Sequence, residues 1–212
     1  RKCKVLDIGI GSGRIIQQIA QLCESATGVD VCDERVVKSG YSFKLVKDEH
    51  LPFEDSSFDV VISNHVIEHV KNHELHISEV YRVLKNDGIF YLATPNKYGF
   101  LDPHYKLPLI SWLPRSLSSA YLRSLKGKDW DIYPISLRNI KRFTSEQFYF
   151  KDMTIEIMKN PDKYYLDTGK SFQPFIKVLP WSILRLFNIF APAHVLVPFH
   201  RKLTRFSKSF TV

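Results

Sequence analysis

A short apolar strand runs into a glycine-rich turn in the sequence VLDIGIGSG, Val5–Gly13. Glycine has no side chain, so the glycines at positions 9, 11 and 13 allow the backbone to turn tightly and to approach a ligand closely. The helix predicted directly after the turn, Arg14–Cys23, directs its free N–H groups towards the same point. Asp7, at the end of the strand, can accept a hydrogen bond from a cationic amino group. These features together predict a ligand site at the turn.

Short apolar runs alternate with helical patterns from this turn to residue 96. The strands predicted there are Lys4–Ile8, Ala26–Asp30, Phe43–Val46, Phe58–Ser63 and Ile89–Thr94, and the helices between them are Arg14–Cys23, Asp33–Ser39 and a helix capped by Asn72. This alternation is typical of parallel βαβ units with helices on both faces of the sheet. The predicted fold class is therefore α/β.

The sequence changes character after the fifth predicted strand. Ten of the eleven prolines lie from Pro95 onward, and residues 97–135 form a long segment rich in aromatic residues. A loop of this length inside a compact domain is usually functional, so we interpret 97–135 as an inserted substrate cap. The elements predicted after it are a helix at Ser136–Phe148 and strands at Met153–Met158 and His194–Phe199.

A second acidic residue points to a nucleoside ligand. Asp30 ends the second predicted strand, 17 residues after Gly13. One strand–helix–strand unit places it beside the glycine turn, where it can bind both hydroxyls of a ribose. The dinucleotide fingerprint G-x-G-x-x-G requires its last glycine at position 14, where this chain has Arg14. This departure disfavours a nicotinamide-dependent oxidoreductase.

The chain resembles a class I S-adenosylmethionine-dependent methyltransferase of the small "type 11" group in four elements that follow one another in the family's order. They are VLDIGIGSG at Val5–Gly13, TGVD at Thr27–Asp30, LPFEDSSFDVVISNHVIEHV at Leu51–Val70 and LKNDGIFYLATPN at Leu84–Asn96. The resemblance implies S-adenosylmethionine as the cofactor and a Rossmann-like, mostly parallel sheet of seven strands. One strand would be antiparallel, in a terminal hairpin of Met153–Met158 and His194–Phe199.

The resemblance also implies a set of cofactor-binding residues. They are Asp7, Gly9, Gly11 and Gly13 along the methionine moiety, Asp30 at the ribose, Asp48 and Glu49 at the adenine, and Asn64 beneath the sulfonium. Relatives place the adenine-side acid one residue earlier than Asp48, where this chain has Lys47.

Three segments follow from the resemblance and from the change in character at residue 97. Residues 1–96 would form the cofactor-binding core and 97–135 the substrate cap. Residues 136–212 would complete the sheet and add an amphipathic helix and a basic tail. The chain opens at Arg1 without Met, directly before a strand, and we expect an N-terminal helix to be missing from it.

Methyl transfer needs an acceptor held in line with the methyl group, and a base where the acceptor must lose a proton. The candidate bases are His65, directly after the fourth strand at the edge where α/β sheets bind ligands, His69 four residues later, and His104 in the cap. Residues 65–69 also spell H-x-x-E-H, an inverted zinc-protease pattern that would need a longer helix and a distant third ligand. Some methyltransferases bind a divalent metal through E-x-x-E-H at this location, but His65 replaces the first glutamate. We therefore predict no metal site.

The charge of the chain is uneven. From residue 97 onward there are 19 basic and 8 acidic residues, within totals of 30 and 22. This excess favours an anionic acceptor, either small or lipid-linked. An apolar helix predicted at Trp181–Phe190, followed by a basic end from His200 to Lys208, indicates contact with an anionic membrane surface. Alternatively, that helix covers the sheet or a dimer contact. Nucleic acid is disfavoured because the basic residues are spread out and no RNA-binding module is present.

The three cysteines form no C-x-x-C pair, which indicates a reducing, intracellular compartment. We expect the cytoplasm, with a peripheral position at the inner face of a membrane if the basic end binds lipid. The apolar stretch Pro174–Phe199 is interrupted by prolines and charges, which argues against a transmembrane segment.

The leading function is methyl transfer from S-adenosylmethionine to an O, N or C nucleophile. The alternatives are a pseudoenzyme or binding module that holds the cofactor without turnover, an RNA methyltransferase, and an NAD-dependent oxidoreductase. The sequence leaves open the acceptor, the attacking atom and the oligomeric state.

Overall fold

The computed structural model describes residues 2–145, 148–164, 178–180, 182–184 and 193–200. The strands in these residues are β1 (Lys4–Ile8), β2 (Ser25–Asp30), β3 (Ser42–Leu45), β4 (Phe58–Asn64), β5 (Leu84–Pro95), β6 (Phe148–Asp152) and β7 (Ala193–His200). The helices are α1 (Arg14–Ala20), α2 (His73–Val83), α3 (Arg115–Lys126), α4 (Leu137–Thr144) and α5 (Thr154–Lys159), with short 3₁₀ turns at Ile67–His69, Ile110–Trp112 and Pro161–Tyr164.

The strands form one sheet in the order β3-β2-β1-β4-β5-β7-β6. Neighbouring strands from β3 to β5 are parallel, whereas β7 runs antiparallel to both β5 and β6. This confirms the predicted α/β fold, a mostly parallel sheet with one antiparallel strand. The strand order reverses between β1 and β4, and open α/β sheets bind ligands outside the carboxyl ends at such a point.

The sheet is covered on both faces because apolar residues alternate along its strands. Leu6 and Val61 belong to the core that α2 covers with Ile77, and all three side chains are fully buried. The neighbouring Val5 points the other way and packs in a second core with Ile16 of α1. Burial of such side chains stabilises by about 1.5–3 kcal/mol each, and it fixes the strand ends that surround the site.

The predicted helix Asp33–Ser39 is wrong. The backbone N–H groups of Val36 and Val37 both donate to the Ser12 carbonyl, at 3.0 and 3.1 Å. They are therefore committed to the glycine turn and cannot form the hydrogen bonds of a helix. The segment after β2 is held against the turn as an irregular loop.

The predicted sixth strand, Met153–Met158, is also wrong. Residues Thr154–Lys159 form α5, and the sixth strand is Phe148–Asp152, which pairs with β7. The Asp152 carboxylate accepts a hydrogen bond from the Thr154 N–H at 3.0 Å, at the point where the strand ends and the helix begins. The helix predicted at Ser136–Phe148 is accordingly shorter and covers Leu137–Thr144.

Residues 97–135, which we call the cap segment, follow β5 and enclose a small core of their own. Its buried members are Leu107, Ile110, Leu122, Trp130 and Ile132. The predicted helix Trp181–Phe190 and the basic end from His200 to Lys208 lie mostly outside the described residues. No helix in the described part of the chain combines the length and apolar character needed to cross a lipid bilayer.

Candidate functional site

The glycine turn between β1 and α1 leaves one side open. Gly11 has φ +49°, and a Cβ added to it would meet no atom of the described residues within 4 Å. Gly13 has φ +78°, and a Cβ added there would lie 2.6 Å from the Val37 carbonyl oxygen. The protein itself therefore closes the turn at Gly13, and the space above Gly11 is available to a ligand.

The carboxylate of Asp30 lies at this open side. Its Oδ2 accepts a hydrogen bond from the Gly11 N–H at 2.9 Å, and its Oδ1 accepts one from the Val31 N–H at 2.7 Å. Because β1 and β2 are parallel neighbours, with Asp7 opposite Gly28, the two strand ends bring both predicted acids to the turn.

Asp7 is a buried acid, with 3% of its surface exposed. Burial, and then the negative charge of Asp30, raise the pKa of Asp7 to about 7. A cation placed beside this carboxyl would favour its ionised form and relieve both effects. Asp7 is therefore suited to a ligand that carries a positive charge.

The end of β4 contributes Asn64 and His65. Asn64 is half-buried and closes the strand. His65 has φ +58°, a left-handed conformation that costs a non-glycine residue about 1–3 kcal/mol and is concentrated at functional sites. A hydrogen bond from the His65 N–H to the Ala93 carbonyl, at 2.8 Å, holds it there.

A buried carboxylate connects two of the predicted bases. Glu68 is 1% exposed, and its Oε1 lies 3.3 Å from Nδ1 of His65 and 3.6 Å from Nε2 of His104. The Thr94 hydroxyl donates to its Oε2 at 3.1 Å. The structure therefore gathers His65 from the sheet edge and His104 from the cap segment around one carboxylate.

Glu68 and the two imidazoles shift the pKa values within this group. Burial alone would raise the pKa of Glu68, but the imidazoles of His104 and His65 lower it to about 2. Glu68 in turn raises the pKa of His104, against the opposing effect of burial. An ionised carboxylate beside an imidazole orients the ring and stabilises its protonated form, as in enzymes that use histidine as a base.

Sequence reasoning missed Glu68 and Thr94. The only signal was the H-x-x-E-H string, which places Glu68 between two histidines but does not show that His104 joins them. One ligand atom each of Glu68, His69 and His104 lies within 4.8 Å of the others, so this set could hold a metal ion. This set contains His104, whereas the H-x-x-E-H pattern in the sequence would contribute His65 together with Glu68 and His69.

The predicted adenine-side acids lie beyond the carboxyl end of β3. Asp48 is exposed, and its Oδ1 accepts a hydrogen bond from the His50 N–H at 2.9 Å and faces His50 Nδ1 at 3.0 Å. These contacts lower the pKa of Asp48. Glu49 is half-buried. The strand β3 pairs with β2, and β2 ends in Asp30. Both acids therefore follow the strand that neighbours β2.

Residues 6–92 match a family model described as a methyltransferase domain. A probable S-adenosylmethionine-dependent methyltransferase of Mycolicibacterium smegmatis is 33% identical over 126 residues, which cover 57% of this chain and 49% of the relative. Residues 6–92 therefore form a methyltransferase domain of the type 11 family. The ubiquinone biosynthesis O-methyltransferase of Pelagibacter ubique is 25% identical to this chain, over 84% of this chain and 76% of the relative.

Solved structures show the same fold. The crystal structure of the YcgJ protein from Bacillus subtilis matches this chain with a TM-score of 0.59 at 21% identity, covering 94% of this chain and 92% of that one. The chain spans about half the length of its Mycolicibacterium relative.

The glycine turn fits S-adenosylmethionine, the cofactor of the relatives that the methyltransferase domain matches. That molecule carries a cationic amino group, a ribose and a sulfonium. The turn offers open space above Gly11, a buried acid that a cation would relieve at Asp7, and a carboxylate at the same edge from Asp30.

Proposed function

We propose that this methyltransferase transfers the methyl group of S-adenosylmethionine to an O, N or C nucleophile of a small or lipid-linked, anionic metabolite, and that oxygen is the favoured acceptor. The group of His65, Glu68 and His104 carries this proposal. A hydroxyl loses a proton when it is methylated, and a carboxylate-supported histidine can accept that proton. The Pelagibacter relative is named an O-methyltransferase, which supports the choice of oxygen.

The cofactor is held at the carboxyl edge of the sheet in this proposal. The assigned contacts are Asp7 with the amino group, the turn of Gly9, Gly11 and Gly13 along the methionine moiety, Asp30 with the ribose hydroxyls, Asp48 and Glu49 with the adenine, and Asn64 beneath the sulfonium. Bound there, the cofactor supplies a sulfonium methyl group that a nucleophile attacks in line.

His104 or His65 receives the proton of the acceptor. Each ring turns one nitrogen towards Glu68, Nε2 in His104 and Nδ1 in His65, so the opposite nitrogen is the one that can accept a proton. Glu68 stabilises the imidazolium that results. The cap segment, which supplies His104, excludes water from the acceptor and strengthens these electrostatic contacts.

The excess of basic residues from position 97 onward supports an anionic acceptor. It also supports a peripheral contact with an anionic membrane surface in the cytoplasm, where a lipid-linked acceptor would be met.

Binding of S-adenosylhomocysteine is expected to weaken about tenfold as the pH falls from about 8 to about 6. Burial and the charge of Asp30 raise the pKa of Asp7 to about 7, so below pH 7 this carboxyl is mostly protonated. Its charge, which pairs with the ligand's amino group, is therefore present above pH 7 and lost below it. Calorimetric titrations across this range measure the effect.

The variant Asp7→Asn has no ionisable group at this position. It is expected to bind S-adenosylhomocysteine weakly, and its affinity should not fall between about pH 8 and about pH 6. Asp87→Asn, at an exposed position, is the matched control and should keep the slope of the wild type. An affinity of the wild-type protein that stays constant across the range would contradict the assigned contact of Asp7.

Methyl transfer itself is tested with S-adenosylmethionine labelled in the methyl group and metabolites from cell lysate. We expect label in small or lipid-extractable anionic products. Label in the RNA fraction would instead indicate an RNA methyltransferase. Binding of S-adenosylhomocysteine with no labelled product would indicate a pseudoenzyme, and binding of NAD in its place an oxidoreductase.

A further inference from the structure

A cavity of about 300 Å³ lies where the cap segment meets the core. Its charged and aromatic walls are formed by Lys97 after β5, Arg115 at the start of α3, and Trp130 and Tyr133 near the end of the cap segment. His73, the first residue of α2, completes this part of the wall. The other lining residues are mostly apolar, and none of the described residues that line the cavity is acidic.

Among the described residues, neither the half-buried Lys97 nor Arg115 has a carboxylate partner that would compensate its charge. The Arg115 guanidinium donates to the backbone carbonyls of Trp130 at 2.8 Å and Ile132 at 3.1 Å, and to the Tyr133 hydroxyl at 3.3 Å. It also lies 4.2 Å from the centroid of the Tyr133 ring. These partners are neutral, so they fix the guanidinium in place without cancelling its charge.

The start of α3 adds further hydrogen-bond donors to this wall of the cavity. The helix α3 has twelve residues, begins after Pro114 without a side-chain cap and has no acid in its first turn, so its N-terminus keeps free N–H groups and a positive dipole end. A ligand oxygen in the cavity could accept hydrogen bonds from these N–H groups.

The walls of the cavity are tied to the proposed methyl-transfer site. The Tyr133 N–H donates to the Glu68 carbonyl at 2.7 Å. On the other side, the Ser111 hydroxyl donates to Asp102 at 3.2 Å, and the same carboxylate accepts a hydrogen bond from the His104 N–H at 3.0 Å. These hydrogen bonds hold two walls of the cavity beside the residues of the proposed methyl-transfer site.

We propose that this cavity binds an oxyanion of the methyl acceptor, a carboxylate or a phosphate, carried on an aromatic or apolar body. This inference rests on the proposed function, because it treats the cavity as part of the acceptor site. Lys97, Arg115 and the start of α3 bind the oxyanion, and Trp130 and Tyr133 contact the apolar body. The cavity selects against acceptors whose distal end is cationic, since the two uncompensated positive charges would repel it.

The test is calorimetry on the whole protein saturated with S-adenosylhomocysteine, with phenyl phosphate, benzoate and neutral benzyl alcohol as probes. We expect binding of an anionic probe and much weaker binding of benzyl alcohol. Tighter binding of phenyl phosphate indicates a phosphorylated acceptor, and tighter binding of benzoate a carboxylate. The Lys97→Gln variant is expected to lose about tenfold in affinity for the anionic probe, because it removes one charge-assisted hydrogen bond.

Two control variants show whether the effect of Lys97→Gln comes from the cavity itself or from a change in net charge or in folding. Lys128→Gln removes the same charge from an exposed position of the cap segment and should leave the affinity within about twofold, and Lys97→Arg should retain binding. Equal binding of anionic and neutral probes, or an unchanged affinity in Lys97→Gln, would overturn the inference. These measurements need no turnover. If the cavity binds no anionic probe, the proposed methyl transfer is therefore not contradicted. Probe binding without labelled product, conversely, would refute the proposed methyl transfer alone.

Discussion

Replacing His104 by glutamine is expected to lower the rate of methyl transfer about 100-fold or more, while the affinity for S-adenosylhomocysteine stays unchanged. A positioned base contributes about 10²–10⁴-fold when the acceptor must lose a proton. Glutamine keeps much of the size of the ring and cannot accept that proton. Single-turnover rates with the acceptor identified by labelling, together with calorimetry, separate the two effects.

The variant Glu68→Gln tests whether the carboxylate acts through the imidazole. A histidine base works in its neutral form, so the rate rises as the pH passes through its pKa. Glu68 raises the pKa of His104, so its removal should move this rise to lower pH and reduce the maximal rate. A merely structural role would not move the profile. Glu74→Gln, at an exposed position of α2, should leave it unchanged.

Other outcomes assign the chemistry differently. Full activity of His104→Gln with loss of activity in His65→Gln would make His65 the base. Full activity of both variants would leave positioning alone as the source of catalysis. We expect activity to survive strong chelation, because two imidazoles already face the Glu68 carboxylate. Loss on chelation, restored by a divalent cation, would instead make Glu68, His69 and His104 metal ligands.

The parallel part of the fold could be predicted because its signals are local. Each of the first strands is an apolar run followed by a turn or by an acid, as in Val5–Gly13, and α2 has a clear apolar period and an asparagine cap. The sequence Met153–Met158 alternates like a strand but is short enough to form a single helical turn or two, and short apolar runs of this kind are ambiguous. The helix expected at Asp33–Ser39 fails for a non-local reason, since its N–H groups bind Ser12 of the preceding unit.

The residues of the candidate site also differ in whether the sequence alone could predict them. Asp7, Asp30 and the glycines lie at strand ends and turns, so the βαβ pattern was enough to bring them together. Glu68 becomes significant only when the cap segment delivers His104 to it, and the cavity is assembled from the ends of α2 and β5 and from the cap segment. Sequence periodicity does not indicate contacts between segments that lie so far apart in the sequence. These contacts are seen only in the structure.

Asp30→Ala is expected to weaken the binding of S-adenosylhomocysteine about 100-fold or more. Two hydrogen bonds from ribose hydroxyls to one carboxylate contribute roughly 1.5–3 kcal/mol each, which corresponds to this loss. The substitution also removes the acceptor of the Gly11 N–H, which orders the open side of the turn. Calorimetry at pH 8 measures the loss, and circular dichroism checks the fold. Glu34→Gln, at an exposed position on the following loop, should bind as the wild type does.

The more conservative Asp30→Asn variant carries a second consequence that a loss of contact alone does not predict. The negative charge of Asp30 is one of the two causes that raise the pKa of Asp7, the first being burial. With that charge gone, Asp7 ionises at lower pH, so the pH at which cofactor affinity begins to fall should move down in Asp30→Asn. A variant that binds weakly but keeps the wild-type midpoint would contradict the electrostatic coupling of Asp7 and Asp30. A weakened affinity with a lowered midpoint is the result expected when the two coupled carboxylates contact the same bound ligand.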